Sequence, residues 1–198
     1  MPLHRVLVGA RWASAAIAIC CFAPTVTRAQ EITLLLGPAQ TATFTLNATL
    51  HVVHGTFRLK RGEVHFDRGS AKISGEVVFD ATSGNTGNDS RDRKMHKDVL
   101  ESGLYPEITF RPDKIEGSVA MTGSSPVQVH GLFGIHGKEH EMTIPVQITL
   151  DSDKWTVDAH FQVPYAQWGM KKPSLLFIRV DDSVDVDLHC AGTASRTQ

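Results

Sequence analysis

Apolar and polar residues alternate along most of this chain, a pattern that predicts half-buried β-strands. Residues 41–46 and 142–148 show this period of two most clearly. Turn-forming pairs such as Arg61-Gly62 and the Gly-Ser-Ser-Pro run at 123–126 separate the segments. About eight to ten short antiparallel strands are expected from this pattern. The predicted fold class is therefore all-β, as either a barrel or a sandwich.

Residues 83–110 interrupt the alternation. They begin with a run rich in glycine and asparagine, residue types that favour turns. Asn88 or Asp89 suits the N-cap of a helix, and Pro106 disfavours helical geometry at the residue before it. The alternation then resumes, so this segment predicts one short helical insert between two strands.

The first 29 residues differ from the rest of the chain. A basic start, an apolar run at 12–22 and small residues at 27–29 are typical of a cleaved secretory signal peptide. A retained N-terminal anchor is the alternative. The expected organisation is a signal peptide at 1–29, one β-barrel domain at 30–190 and a disordered tail at 191–198.

Removal of residues 1–29 would change both the net charge and the cysteine content. Three of the 20 basic residues leave, so 17 remain against 21 acidic residues and the net charge becomes −4. Without a basic stripe, this balance argues against a nucleic-acid partner. Cys190 would be the single remaining cysteine, which excludes an internal disulfide. The expected location is periplasmic or secreted, with no membrane span left after signal cleavage.

Four motifs in order along the chain point to a known family. They are HGTF at 54–57, TGNDSRDRKMHKDVLESGLYPEITF at 86–110, VHGLFGIHG at 129–137 and VDDSV at 180–184. Together they resemble the YceI-like polyisoprenoid-binding family. That resemblance implies an extended eight-stranded antiparallel lipocalin-like barrel with a short helical insert. It also implies an exported, non-catalytic protein whose interior holds a polyisoprenoid or another long-chain amphiphilic lipid. Residues 138–141 and 168–170 depart from the usual pattern of this family.

The expected ligand-binding residues are those whose side chains face the interior of such a barrel, or cover it from the helical insert and a late loop. They are Phe44, Leu46, Phe57, Phe66, Val77, Phe79, Met95, Val99, Phe110, Phe133, Ile135, Ile144, Val146, Ile148, Phe161 and Trp168. Periodicity alone does not distinguish a ligand-holding interior from a solid core. A bulky substitution such as Val146→Trp is expected to block an open interior.

The helical insert is expected to cover one mouth of the barrel as a lid. In that arrangement Met95, Val99 and Leu100 face the interior, and Arg91 and Asp92 lie at the rim. The alternative is that the helix packs on the outer wall.

Histidines provide the main competing signal. His130, His136 and His140 form one group in the sequence, and a hairpin could bring together a second group, His51, His54 and His65. A periplasmic metal- or cofactor-handling protein is therefore the alternative function, although the spacing matches no known metal-binding motif. No catalytic motif is present, so no catalytic residue and no cofactor are expected. Whether the chain forms a homodimer is left open by the sequence.

Overall fold

The computed structural model describes residues 31–49, 51–67, 70–173 and 179–197, and the signal peptide expected at 1–29 lies outside them. The strands are β1 Glu31–Leu36, β2 Thr41–Ala48, β3 His51–Asp67, β4 Ile73–Asn85, β5 Glu107–Glu116, β6 Gly123–Ile135, β7 Lys138–Asp151, β8 Lys154–Val163 and β9 Val184–Thr197. A helical insert between β4 and β5 consists of α1, Asp89–Lys94, and a π-helical turn, Met95–Val99. Asn88 caps α1 by accepting a hydrogen bond from the Arg91 N–H.

Strands β2 to β9 form a closed antiparallel barrel. Each pairs with the next in the chain, and β2 pairs with β9 to complete the ring. The extra strand β1 pairs with β3 and β9 beyond the region where those two strands contact β2. The expected eight-stranded antiparallel barrel with a short helical insert is thus confirmed.

Strand β3 is longer than the sequence predicts. The turn expected at Arg61-Gly62 is absent, and β3 continues from His51 to Asp67. Its first half pairs with β2 and its second half with β1, with a register shift between Leu59 and Arg61 in its pairing with β4. Gly62 allows β1 to approach closely, since a Cβ there would lie 2.9 Å from the Cβ of Leu36.

Two other segments expected to be irregular are strands. Residues 123–126 open β6 and pair with β7. The tail expected at 191–198 is also corrected, because β9 extends to Thr197. This end of β9 pairs with β8 and with β1, from Lys154↔Thr193 to Glu31↔Thr197. These partners are remote in sequence, which explains why a local pattern indicated a frayed end.

The barrel interior has two different halves. The lower half contains β1 and is filled by packed apolar side chains. Trp155 is 1% exposed there and Cys190 is completely buried. Burial raises the pKa of the Cys190 thiol to about 12, which keeps it protonated at neutral pH. The upper half contains the helical insert and a second group of apolar side chains, among them Phe133, Val163 and Met170.

Gly75→Ala should destabilise the fold by about 2–4 kcal/mol. Gly75 has a φ of +124°, and a Cβ at this position would lie 2.1 Å from the Glu63 carbonyl oxygen. Gly103→Ala is the matched control, because a Cβ there has no neighbour within 4 Å. The control should stay within about 0.5 kcal/mol of the parent protein. Urea unfolding measures both, and equal midpoints for the two variants would contradict the strain at Gly75.

Candidate functional site

The upper half of the barrel contains a cavity of about 520 Å³. This volume lies within the range of small-molecule sites, about 300–1,000 Å³. Its wall is built mainly from aliphatic and aromatic side chains of the strands and of the helical insert. The interior is therefore neither a continuous tunnel nor a completely solid core, because packed side chains fill only the lower half.

Nine of the residues expected to bind a ligand line this cavity. They are Phe44, Leu46, Phe57, Phe79, Met95, Val99, Phe133, Ile135 and Phe161. Phe44 and Phe57 pack against each other across β2 and β3, with ring centroids 5.2 Å apart. Phe133 and Phe161 meet nearly edge to face at 6.2 Å. The period of two placed these strand residues on the inward face.

The other expected residues lie outside the wall of this cavity. Phe66 and Ile148 belong to the lower core, and Val146 packs against it. Phe110 of β5 packs against both halves, and Val77 of β4 pairs with it. Ile144 of β7 is buried opposite Val129 of β6, and Trp168 contacts His140. The strand period predicts which face points inward but not how far along the barrel a residue lies.

Trp168 supports the wall from behind. Its ring lies 5.7 Å from that of Phe133, which lines the cavity. The Trp168 ring also stacks on the His140 ring, with ring centroids 4.1 Å apart and planes within 5° of each other. Burial, with a smaller contribution from Lys138, lowers the pKa of His140, which favours the neutral ring in this stack.

The helical insert covers part of the cavity. Met95, Val99 and Leu100 all line it, as expected for a lid. His96 ties the π-helical turn to the barrel, because its Nε2 lies 2.9 Å from the Gly84 carbonyl oxygen. A carbonyl can only accept, so Nε2 carries the proton, and in the neutral ring Nδ1 accepts from the Ser102 hydroxyl at 2.9 Å. A single imidazole thus connects the π-helical turn both to β4 and to the segment after the insert.

A second connection joins the segment after the insert to the β6–β7 turn. His136 Nε2 and Glu101 Oε2 lie 2.7 Å apart, and the ring of Tyr105 lies 4.8 Å from that of His136. Both His136 and Gly137 have positive φ, as the central residues of a type I′ hairpin do. This turn therefore presents His136 to the segment that follows the insert.

Polar residues gather where the insert meets β4. Arg91 Nε donates to Thr86 Oγ1 at 2.8 Å and Arg91 Nη2 donates to the Thr86 carbonyl at 2.9 Å. Asp92 Oδ1 accepts from the Thr86 N–H at 3.0 Å. Arg91 lines the cavity together with Lys94, whereas Asp92 is not among the lining residues.

Several cavity residues were not anticipated. Ala42, Val53 and Leu188 share the inward parity of their strands, so the pattern contained a signal for them. Tyr165 and Met170 come from the loop after β8, where no periodicity exists. The Tyr165 hydroxyl donates to the Asp181 carbonyl at 2.6 Å, and burial raises its pKa to about 12.

A second depression of about 890 Å³ is more exposed and more polar. Cross-strand pairs on β8 and β9 line it, with His160 Nδ1 2.7 Å from Asp187 Oδ1 and His189 Nδ1 2.5 Å from Asp158 Oδ1. These pairs are more than half exposed and contribute little to stability. Such a polar surface is a poor site for an apolar chain.

The histidine groups have other partners. His130 Nδ1 lies 2.7 Å from Asp113, while His54 and His65 share hydrogen bonds with threonines of β2 and β1. Within the described ranges, no three histidine, cysteine or acidic side chains are placed to share a metal ion. No helix in the described part of the chain is long and apolar enough to span a membrane.

Comparisons with known proteins agree with this architecture. A family model described as "YceI-like domain" matches residues 36–191. Among solved structures, BcnA from Burkholderia cenocepacia is similar, with a TM-score of 0.68 and 19% identity over 80% of this chain and 99% of that one. No match is found among curated proteins.

Two further solved structures are similar. One is a polyisoprenoid-binding domain from Saccharophagus degradans implicated in plant cell wall breakdown, with a TM-score of 0.57 and 17% identity over 84% of this chain and 99% of that one. The other is a YceI protein from Campylobacter jejuni, with a TM-score of 0.59 and 18% identity over 73% of this chain and 86% of that one. At these identities, the three structures show a shared fold.

Proposed function

This chain belongs to the YceI-like domain family, and from that membership we propose that it binds a polyisoprenoid or another long-chain amphiphilic lipid inside its barrel. The observation that supports this proposal is the apolar cavity in the upper half. Its wall is mainly aliphatic and aromatic, and its volume is about 520 Å³. The Saccharophagus degradans neighbour, described as a polyisoprenoid-binding domain, is consistent with this ligand class.

The physical basis of binding is the removal of apolar surface from water. Each buried CH₂ group contributes about 0.8 kcal/mol, so a long chain gains affinity without many directional contacts. The cavity wall is mainly apolar, and the packed lower core closes its floor. Because few polar groups of the wall need a hydrogen-bond partner on the ligand, the cavity selects ligands by their shape and apolar character.

Carriage or sequestration without catalysis suits this site. The titratable groups among the described lining residues are His51, Arg91, Lys94 and Tyr165. Tyr165 has its pKa raised to about 12 and already donates to the Asp181 carbonyl, so it is a poor acid or base at neutral pH. Among the described lining residues there is no cysteine, aspartate or glutamate, so this wall offers neither a thiol nor a carboxylate for covalent catalysis.

Export is part of the same proposal. The signal-like pattern at 1–29 supports a periplasmic or secreted location, where a carrier for apolar molecules can cross an aqueous space. After such cleavage, Cys190 would remain as a buried thiol that cannot form an internal disulfide.

Native mass spectrometry of the protein purified from its own host, followed by lipid extraction, tests the function. We expect one apolar molecule per chain, and the same spectra report whether the chain forms a homodimer. Protein that contains no lipid, and that takes up none from detergent-solubilised host lipids, would overturn the proposal. Bound zinc or copper lost on substitution of His130 and His136 would support the metal-handling alternative instead.

A further inference from the structure

Strands β7 and β8 separate in the upper half of the barrel. Their pairing ends at Val146↔Ala159. Beyond that pair, β7 extends to Lys138 beside β6, and β8 extends to Val163 beside β9. The unpaired part of β7 starts at Pro145, and proline is confined to the edges of sheets because it has no backbone N–H. Backbone pairing therefore leaves a seam between the upper parts of β7 and β8.

Residues 164–170, which follow β8, bridge this seam with side chains. Trp168 reaches across it and stacks on His140 of β7. The described backbone hydrogen bonds of the segment stay within it or reach Val163 of β8 and Asp182, just before β9, and none reaches β7. The segment is therefore anchored by its backbone on the side of β8 and β9, and it meets β7 through side chains.

A second separation of neighbouring strands is closed in a different way. Strands β2 and β9 also stop pairing before the end of β2. There the Asp181 N–H donates to the Asn47 carbonyl and the Thr49 N–H donates to the Arg179 carbonyl, both at 3.0 Å. Hydrogen bonds to backbone carbonyls likewise hold the helical insert. Segments with few backbone hydrogen bonds open most readily, so within the described wall the seam between β7 and β8 is the weakest closure.

The seam lies directly beside the upper cavity. Phe161 and Val163, in the unpaired part of β8, line the cavity, and so do Tyr165 and Met170 of the bridging segment. Movement of this segment away from β7 therefore opens the cavity from the side. An apolar chain that passes through the opening contacts apolar side chains along its path, which limits the apolar surface it exposes to water.

We propose that the lipid enters and leaves the cavity sideways, through the seam between β7 and β8, and that the stack of Trp168 on His140 holds this lateral portal closed. This inference rests on the function proposed above and adds the route of exchange to it. The stack is present in the closed barrel whether the cavity is empty or filled. It therefore controls the rates of uptake and release and leaves the affinity almost unchanged.

Stopped-flow fluorescence with cis-parinarate and all-trans-retinol, two lipids that fluoresce without a label, tests the route. Trp168→Leu removes the stack on His140 and keeps an apolar side chain near Phe133. We expect the association and dissociation rates both to rise about tenfold, the upper range of what one aromatic pair contributes. The dissociation constant should change less than about threefold, because Trp168 is not among the lining residues.

Tyr105→Leu is the matched control at the insert. Tyr105 lies 4.8 Å from His136, ring to ring, and joins the segment after the insert to the β6–β7 turn. The variant removes the same kind of ring contact without a change at the seam or in the cavity lining. Exchange rates should stay within about twofold of the parent protein. Faster exchange in Tyr105→Leu alone, or equally in both variants, would overturn the lateral route.

Two changes at His140 show whether the stack itself is responsible. His140→Leu removes the contact from the β7 side and should reproduce the faster exchange, also if Trp168→Leu does not fold. The double variant should be no faster than either single variant, because both changes remove one shared contact. His140→Phe keeps a ring against Trp168 and should exchange at the parental rate.

The outcomes separate this inference from the proposed function. If the probes bind but exchange at the parental rate in both Trp168→Leu and His140→Leu, the lateral portal is wrong although the cavity still binds lipid. If neither probe binds to the parent protein, the lipid-binding function fails and the lateral portal fails with it.

Discussion

Val186→Trp is expected to abolish lipid binding while the barrel stays folded. Val186 lies on β9 opposite Phe44 of β2 and Phe161 of β8, and all three side chains line the upper cavity. An indole at this position has space to enter, because the cavity of about 520 Å³ lies directly in front of it. The substitution therefore fills the volume that the proposed ligand would occupy.

The size of the effect follows from the apolar surface that the ligand can no longer bury. If the indole displaces about five methylene groups, each worth about 0.8 kcal/mol, the loss is about 4 kcal/mol. This corresponds to an increase of about 1,000-fold in the dissociation constant. Titration of a fluorescent fatty acid or prenol analogue into the two proteins measures it, with circular dichroism as the check on folding.

Val129→Trp is the matched control in the lower half. Val129 is 6% exposed and packs among the residues of the lower core, so an indole there must displace its neighbours. We expect a loss of about 1–3 kcal/mol in stability, with lipid binding retained by the folded fraction. Binding that survives in Val186→Trp, or that is lost equally in both variants, would show that the upper cavity is not the lipid site.

The sequence predicted which strand residues face the barrel interior, but not which half of the interior they reach. Alternation correctly indicated inward faces for Phe44 and Phe133, because a period of two is a local property of a strand. The same alternation placed Val146 in the interior, where it packs against the lower core and not the cavity wall. The position of a residue along the barrel axis depends on how its strand is aligned with the neighbouring strands. A local sequence pattern does not contain that alignment.

Strand β3 illustrates this limit. Phe57 lines the upper cavity and Phe66 is buried in the lower core, although they are nine residues apart and so have opposite parity. The register shift between Leu59 and Arg61 accounts for the change of parity, because an irregularity moves later side chains to the other face. In the sequence, the same place resembled a turn at Arg61-Gly62.

The family motifs predicted more of the architecture than of the site. They indicated the eight-stranded barrel and its insert, both of which the structure shows. They did not indicate Tyr165 and Met170, which reach the cavity from an irregular loop. The role of His96 was also hidden, since its two hydrogen-bond partners become neighbours only after the π-helical turn forms.

Trp155→Ala should be the most destabilising single substitution proposed for this protein, at about 3–5 kcal/mol. Trp155 is 1% exposed in the lower core and packs closely on Gly192, where a Cβ would lie 2.8 Å from the indole ring. Removal of the ring leaves a cavity that the closed barrel cannot collapse to fill. Urea unfolding followed by circular dichroism measures the loss.

Trp155→Phe separates stability from binding. Among the described residues the indole N–H has no hydrogen-bond partner, so its removal costs no hydrogen bond and the loss should be about 1–2 kcal/mol. The upper cavity does not include Trp155, and lipid affinity in this variant should stay within about twofold of the parent protein, well inside the scatter of distant sites. A large loss of affinity in Trp155→Phe would mean that the lower core and the upper cavity are coupled. Unchanged affinity at reduced stability would show that one end of the barrel maintains the fold while the other is left open for a ligand.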